Sequence, residues 1–152
     1  MRAGLSLLLV ILLYPPGAAA SECIGLFTRH LLSGSQAVFI GEVTSIARNG
    51  QLDEIGFQLK QTFKFKFPPR NPLLLTQWAT SGTTDYFHRF QIGSTYLVFA
   101  RDNSDGSGWP APRGYTSRGC DAWETNTPEA KKRISELKVL MRNRQFGRGV
   151  SR

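Results

Sequence analysis

Cysteine and histidine are scarce in this chain, two of each in 152 residues. Together they could ligate zinc, but neither a C-x-x-C nor an H-x-x-x-H pair is present, and those spacings are what make a zinc site specific. His30 falls in the first helical segment and His88 in a loop, where it reads as a hydrogen-bonding residue. There is no G-x-S-x-G elbow, no Walker loop and no H-E-x-x-H helix. The acids are scattered singly, so no carboxylate pair suggests acid/base chemistry. These absences exclude the common routes to catalysis: the chain reads as a non-enzyme with no cofactor and no metal of its own. Long apolar runs are missing too. Beyond the N-terminus no segment is long and apolar enough to cross a bilayer.

The N-terminus carries the one apolar run. Arg2 gives a short positive region, residues 5–14 are apolar except for Ser6, Pro15-Pro16-Gly17 breaks any helix, and Ala18-Ala19-Ala20 offers the small residues of a cleavage site. Residues 1–20 therefore read as a signal peptide, too short to span a membrane. Glu22, directly before Cys23, argues against a lipoprotein, which needs a small residue there. The expectation is an exported protein, periplasmic or extracellular, with no membrane span after cleavage. In an oxidising compartment the two cysteines are expected to pair, Cys23 with Cys120, 97 residues further on. The other state is two buried free thiols. A loop of that length would stabilise the fold by roughly 4–5 kcal/mol in the chain-entropy account.

Acid is short in one place only. Residues 21–130 hold ten basic and ten acidic residues, whereas 131–152 hold eight basic residues and one acid, Glu136. The body is neutral and the end is basic. Lys131, Lys132, Arg133, Arg142 and Arg144 are candidate contacts for an anionic envelope or extracellular polymer. Gly147, Gly149 and Ser151 make residues 146–152 read as a basic disordered tail, which could equally be a solvated terminus without a partner.

The remainder is mainly β. Residues 24–32 read as a short helix or turn, ended by Ser33-Gly34-Ser35. Residues 37–46 (AVFIGEVTSI) form a first strand, with Gly41 marking a bulge or bend, and Asn49-Gly50 is a turn. Ile55, Phe57, Leu59, Phe63, Phe65 and Phe67 share the odd positions, while Gln58, Lys60, Thr62, Lys64 and Lys66 hold the even ones. That alternation predicts a long strand with one buried face. It puts the phenylalanines in the core and the lysines in solvent. A single-stranded nucleic-acid site would need them on one face, so no nucleic-acid partner is expected. Further strands are expected at 73–78, 95–101 and 115–117. Thr127-Pro128-Glu129 starts a helix, and Ile134, Leu137, Leu140 and Met141 give it an apolar stripe. The fold class that fits is a five-stranded OB-type Greek-key barrel spanning 21–127, with a short N-terminal helix and a C-terminal helix, 128–145, packed on the barrel. A β-sandwich is the rival, for which five strands are few.

Several segments, in order, resemble the inhibitory domain of the tissue inhibitors of metalloproteinases, a netrin-like OB barrel, and more closely its short exported bacterial relatives. They are Cys23, AVFIGEVTSI, Asp85-Tyr86-Phe87-His88-Arg89, the run from Ile92 to Ala100 (IGSTYLVFA), and the cysteine after Tyr115-Thr116-Ser117. The family begins Cys-x-Cys, whereas this chain has Ser21-Glu22-Cys23. The partner position of the family's first cysteine is Thr84 here, so both halves of that bridge are absent together. The resemblance implies that the retained bridge is Cys23–Cys120. It also implies that Ser21, through its free α-amino group and carbonyl, chelates the zinc of a metalloendopeptidase while the Glu22 side chain enters the protease's pocket. Without the second bridge Ser21 is two residues from its anchor, and Glu22 brings charge into a pocket that is often apolar. Broad inhibition is therefore expected to be weak. The alternative is a non-inhibitory secreted or periplasmic netrin-like binding module with a basic C-terminal tail.

Overall fold

The computed structural model describes residues 26–66, 72–78, 89–102, 114–117 and 120–147. The signal segment 1–20, Ser21, Glu22, Cys23, Phe67, the segment 85–88 and the end of the tail, 148–152, lie outside the described residues.

Helix α1 (Thr28–Gly34) is followed by β1 (Ala37–Asn49), β2 (Leu52–Phe65), β3 (Leu73–Trp78), β4 (Thr95–Asp102), β5 (Tyr115–Thr116), β6 (Ala122–Glu124) and α2 (Pro128–Gly147). β1 pairs antiparallel with β2, β2 with β3, and β3 runs parallel to β5. β5 pairs with β4, and β4 returns to β1, closing the sheet on itself. This closed five-stranded barrel has the expected OB-type connectivity. The sixth strand, not foreseen, lies beyond β5 on the same side of β4: Tyr96, Leu97 and Val98 face Glu124, Trp123 and Ala122.

Local chemistry explains the corners. Asn49-Gly50 turns β1 into β2, with Asn49 opposite Leu52 and Gly50 at φ 62°, a conformation glycine adopts without steric cost. Gly41 sits at a register shift in the middle of β1. A Cβ there would come within 3.1 Å of the Phe57 ring and 3.3 Å of the Gln58 carbonyl, so any side chain at this bend would press on both. Thr127 caps α2: its hydroxyl oxygen accepts from the Ala130 N–H at 3.3 Å.

Two apolar clusters result. Inside the barrel lie Ala37, Phe39, Val43, Ile55, Phe57, Leu73, Leu75, Phe90, Tyr96, Val98, Ala100 and Ala122. Their rings form a continuous series: Phe39–Phe57 at 5.4 Å, Phe57–Phe90 at 5.3 Å and Phe90–Tyr96 at 5.0 Å, each edge to face. Outside the barrel, under the helices, lie Leu31, Leu32, Val38, Phe63, Leu97, Phe99 and Leu137, joined by Ile134, Leu140 and Met141. The C-terminal helix thus packs on the barrel, and it reaches Gly147, past residue 145.

The long alternating strand departs from expectation at Phe63. Register shifts leave Lys60 and Phe63 without partners across from β1, and each extra residue reverses the face that follows. Ile55 and Phe57 point into the barrel, but Phe63 joins the outer cluster. The lysines are also more than a solvated face. Lys64 donates to the Leu32 carbonyl at 2.8 Å, closing the end of α1, and Lys60 pairs with Glu42 at 2.9 Å.

Candidate functional site

The candidate site is the face between α1 and α2 to which Leu26 and Thr28 are held. Its centre is Arg133. Expected to belong to the basic appendage, Arg133 is instead buried, 4% exposed. It sits on the inward side of α2, three residues after the buried Ala130 and four before the buried Leu137. Its guanidinium lies 4.3 Å from the centre of the Trp123 ring on β6. One terminal nitrogen donates to the Leu26 carbonyl at 2.9 Å and to the Thr28 hydroxyl oxygen at 3.3 Å. The other pairs with Glu129 at 2.7 Å, one helical turn away. Thr28 in turn donates to Glu136. A planar, permanently charged fork that also stacks on an indole is chemistry that lysine cannot reproduce. Arg133 therefore does not belong with the candidate anion contacts.

This clamp fixes the chain at Leu26. The first turn of α1 starts at once, with the Phe27 carbonyl accepting from His30 N and Leu31 N at 2.9 and 3.1 Å. His30 is exposed on α1, its ring edge-on to Phe27 at 5.8 Å. Cys120 stands at the entrance to β6, and no described cysteine is free. The residue that opens this strand is held to β4 twice: Phe99 N–H donates to the Asp121 carbonyl at 2.7 Å, and the buried Asp121 carboxylate faces Arg101 at 3.8 Å.

The other sequence candidates separate by burial. Lys131, Lys132 and Arg142 are exposed on α2, as is Lys138. Arg144 belongs to the last turns of α2, and its side chain lies outside the described set. Ser21, Glu22 and Cys23 precede the described residues. The segments carrying the family resemblance fall on β1, on the turn and strand of β4, and on β5; of 85–89 only Arg89 is described, and it is exposed. Among the described residues no group of three or more His, Cys, Asp and Glu side chains could hold a metal.

Sequence reasoning missed Arg133 as a structural residue, Trp123 as its platform and Phe90 as the ring that bridges Phe57 and Tyr96. The periodicity of α2 carried the signal for the first, because Arg133 falls on the same stripe as Ala130 and Leu137. Comparison with family models and with curated proteins returns no match. The fold and the clamp define a class: a small OB-type barrel whose outer wall is covered by two helices and in which a buried arginine holds the residues that open α1.

Proposed function

We propose that this chain is an exported, inhibitor-like protein of the tissue-inhibitor-of-metalloproteinases type, which presents its processed N-terminus to a zinc metalloendopeptidase. The observation that supports this best is the double reach of Arg133. It touches Leu26, three residues after Cys23, and Trp123, three residues after Cys120. Three extended residues span at most roughly 10 Å, so a Cys23–Cys120 bridge is within reach of a chain held at Leu26. That bridge would hold Ser21 and Glu22 next to a rigid wall. In this reading the Ser21 α-amino group and carbonyl chelate the protease zinc, which favours the deprotonated amine, and Glu22 enters the pocket. The Glu22 carboxylate disfavours proteases with an apolar pocket, so the target range is narrow.

The test starts from the naturally processed protein. Its N-terminus is sequenced, and it is titrated against a panel of zinc metalloendopeptidases beside a version with one additional N-terminal residue. A start at Ser21, inhibition of at least one protease and its loss on extension are expected. A start at Ser21 with no inhibition anywhere would sink the reading. Non-reducing peptide mapping should return the Cys23 and Cys120 peptides joined.

A second reading is favoured by a separate observation: Lys131, Lys132, Lys138 and Arg142 are exposed on α2 with no acidic partner among the described residues. Here the chain is a non-inhibitory binding module whose helical face holds an anionic partner. Such binding would fall steeply with salt, whereas zinc chelation would not.

A further inference from the structure

The outward face of α2 is basic and its neighbour is apolar. Lys131, Lys138 and Arg142 recur at i, i+7 and i+11, which puts them along one line of the helix over roughly 16 Å. Lys132 lies beside them. Of the acids of α2, Glu129 is paired with Arg133, and Glu136 keeps its charge but lies more than a third of a turn round the helix from this line, with its carboxylate held by the Thr28 hydroxyl. Ser135, on the same line as Lys131, Lys138 and Arg142, is also the near wall of an open groove of about 370 Å³ between α1 and α2. The groove is lined by Phe27, Thr28 and Arg29 on one side and by Ser135, Glu136, Val139 and Leu140 on the other. The groove leaves large apolar side chains in water: Phe27 is 70% exposed and Val139 48%. Arg29, exposed as well, adds a cation on the far rim.

A hydrophilic polyanion would neutralise the cations and leave Phe27 and Val139 wet. A surface that is anionic at the level of the lysines and apolar just below it satisfies both. We propose that the α1–α2 face docks on an anionic lipid leaflet, with Phe27 and Val139 entering the boundary between headgroups and acyl chains and the α2 cations meeting the phosphates. No described helix is long and apolar enough to cross a membrane, and this mode needs none. The proposal deepens the binding-module reading by naming the partner's chemistry, and it does not depend on protease inhibition.

The test uses the full processed chain with vesicles of phosphatidylglycerol and phosphatidylcholine, pure phosphatidylcholine vesicles, and heparin as a soluble polyanion without an apolar layer. Binding to the mixed vesicles and not to phosphatidylcholine is expected. Lys131→Gln, Lys138→Gln and Arg142→Gln together should weaken it roughly a hundredfold, at about fivefold per cation. Phe27→Ser keeps every charge and places a favoured residue at the N-cap of α1, so the fold is spared; it should weaken vesicle binding about tenfold and leave heparin affinity unchanged. If heparin binds and Phe27→Ser changes neither affinity, the module reading stands and the lipid proposal is wrong. If neither vesicles nor heparin bind, both are wrong.

Discussion

The inside of the barrel and the layer outside it are held by different physics. The interior is a series of edge-to-face rings, Phe39, Phe57, Phe90 and Tyr96, enclosed by small and β-branched residues of the strands. It is apolar almost throughout, and its residues are brought together by strand pairing. The outer layer is also apolar, with Phe99 edge-on to Trp123 and Leu97 and Leu137 in the same cluster, but a charged group sits at its edge. Arg133 collects a carbonyl, a hydroxyl, a carboxylate and an indole from three parts of the chain. The barrel thus supplies stability, and the polar clamp holds Leu26 and the start of α1 in place.

The largest effect should come from the interior. Phe57 is fully buried and touches both Phe39 and Phe90, so Phe57→Ala removes two ring contacts and leaves a cavity. A loss of about 3–5 kcal/mol is expected from urea unfolding. A loss below about 1 kcal/mol would mean that the barrel is far looser than its packing implies.

Arg133→Ala should cost less globally and more locally. Charge-assisted hydrogen bonds and cation–π stacking of this kind together predict about 2–3 kcal/mol. The sharper readout is hydrogen exchange: the His30 and Leu31 amides should exchange faster, while those of Val98 and Ala100 stay protected relative to global stability. Arg133→Lys should recover less than half of the loss, because an ammonium cannot reach Leu26 and Glu129 and also stack on Trp123. Uniform acceleration across the barrel would remove the distinction between the two layers. Lys64→Ala should be milder, about 0.5–1 kcal/mol, since it removes a cation from the carbonyl end of α1. Its effect should be confined to that helix.

The difference between the layers also explains what could be read from the chain. Ile55 and Phe57 announce their buried face because alternation is a local property. The barrel followed from counting such strands, and the α2 start followed from Thr127, whose cap is present. Phe63 was misplaced because its face depends on bulges, and bulges depend on pairing with β1 rather than on β2 alone. Strand β6 was missed because three residues carry too little period to detect. Arg133 was counted with the basic end because sequence displays its charge, whereas its partner Leu26 lies 107 residues away.

The smallest expected effect concerns the same interior at high pH. Burial pushes the Tyr96 hydroxyl above its ordinary value of 10.0; hydrogen bonds from Gln91 and with Ser94 pull it back, and the nearby Glu124 carboxylate adds to the rise. The Gln91 N–H donates to that hydroxyl at 3.1 Å. The unfolded phenol ionises near its ordinary value while the folded one stays neutral, so above that value the unfolded state binds fewer protons. Stability from this group is therefore complete below about pH 10 and is lost as the pH rises towards and through the folded value. Tyr96→Phe cannot ionise. It should cost about 1 kcal/mol near neutrality through the lost hydrogen bond, and the gap to the parent protein should narrow as the pH rises above about 10. Lysines titrate in the same range, so the informative quantity is the difference between the two stability curves. Curves that stay parallel would mean that the Tyr96 phenol is hydrated in the folded state, and that the apolar interior of the barrel ends at Phe90.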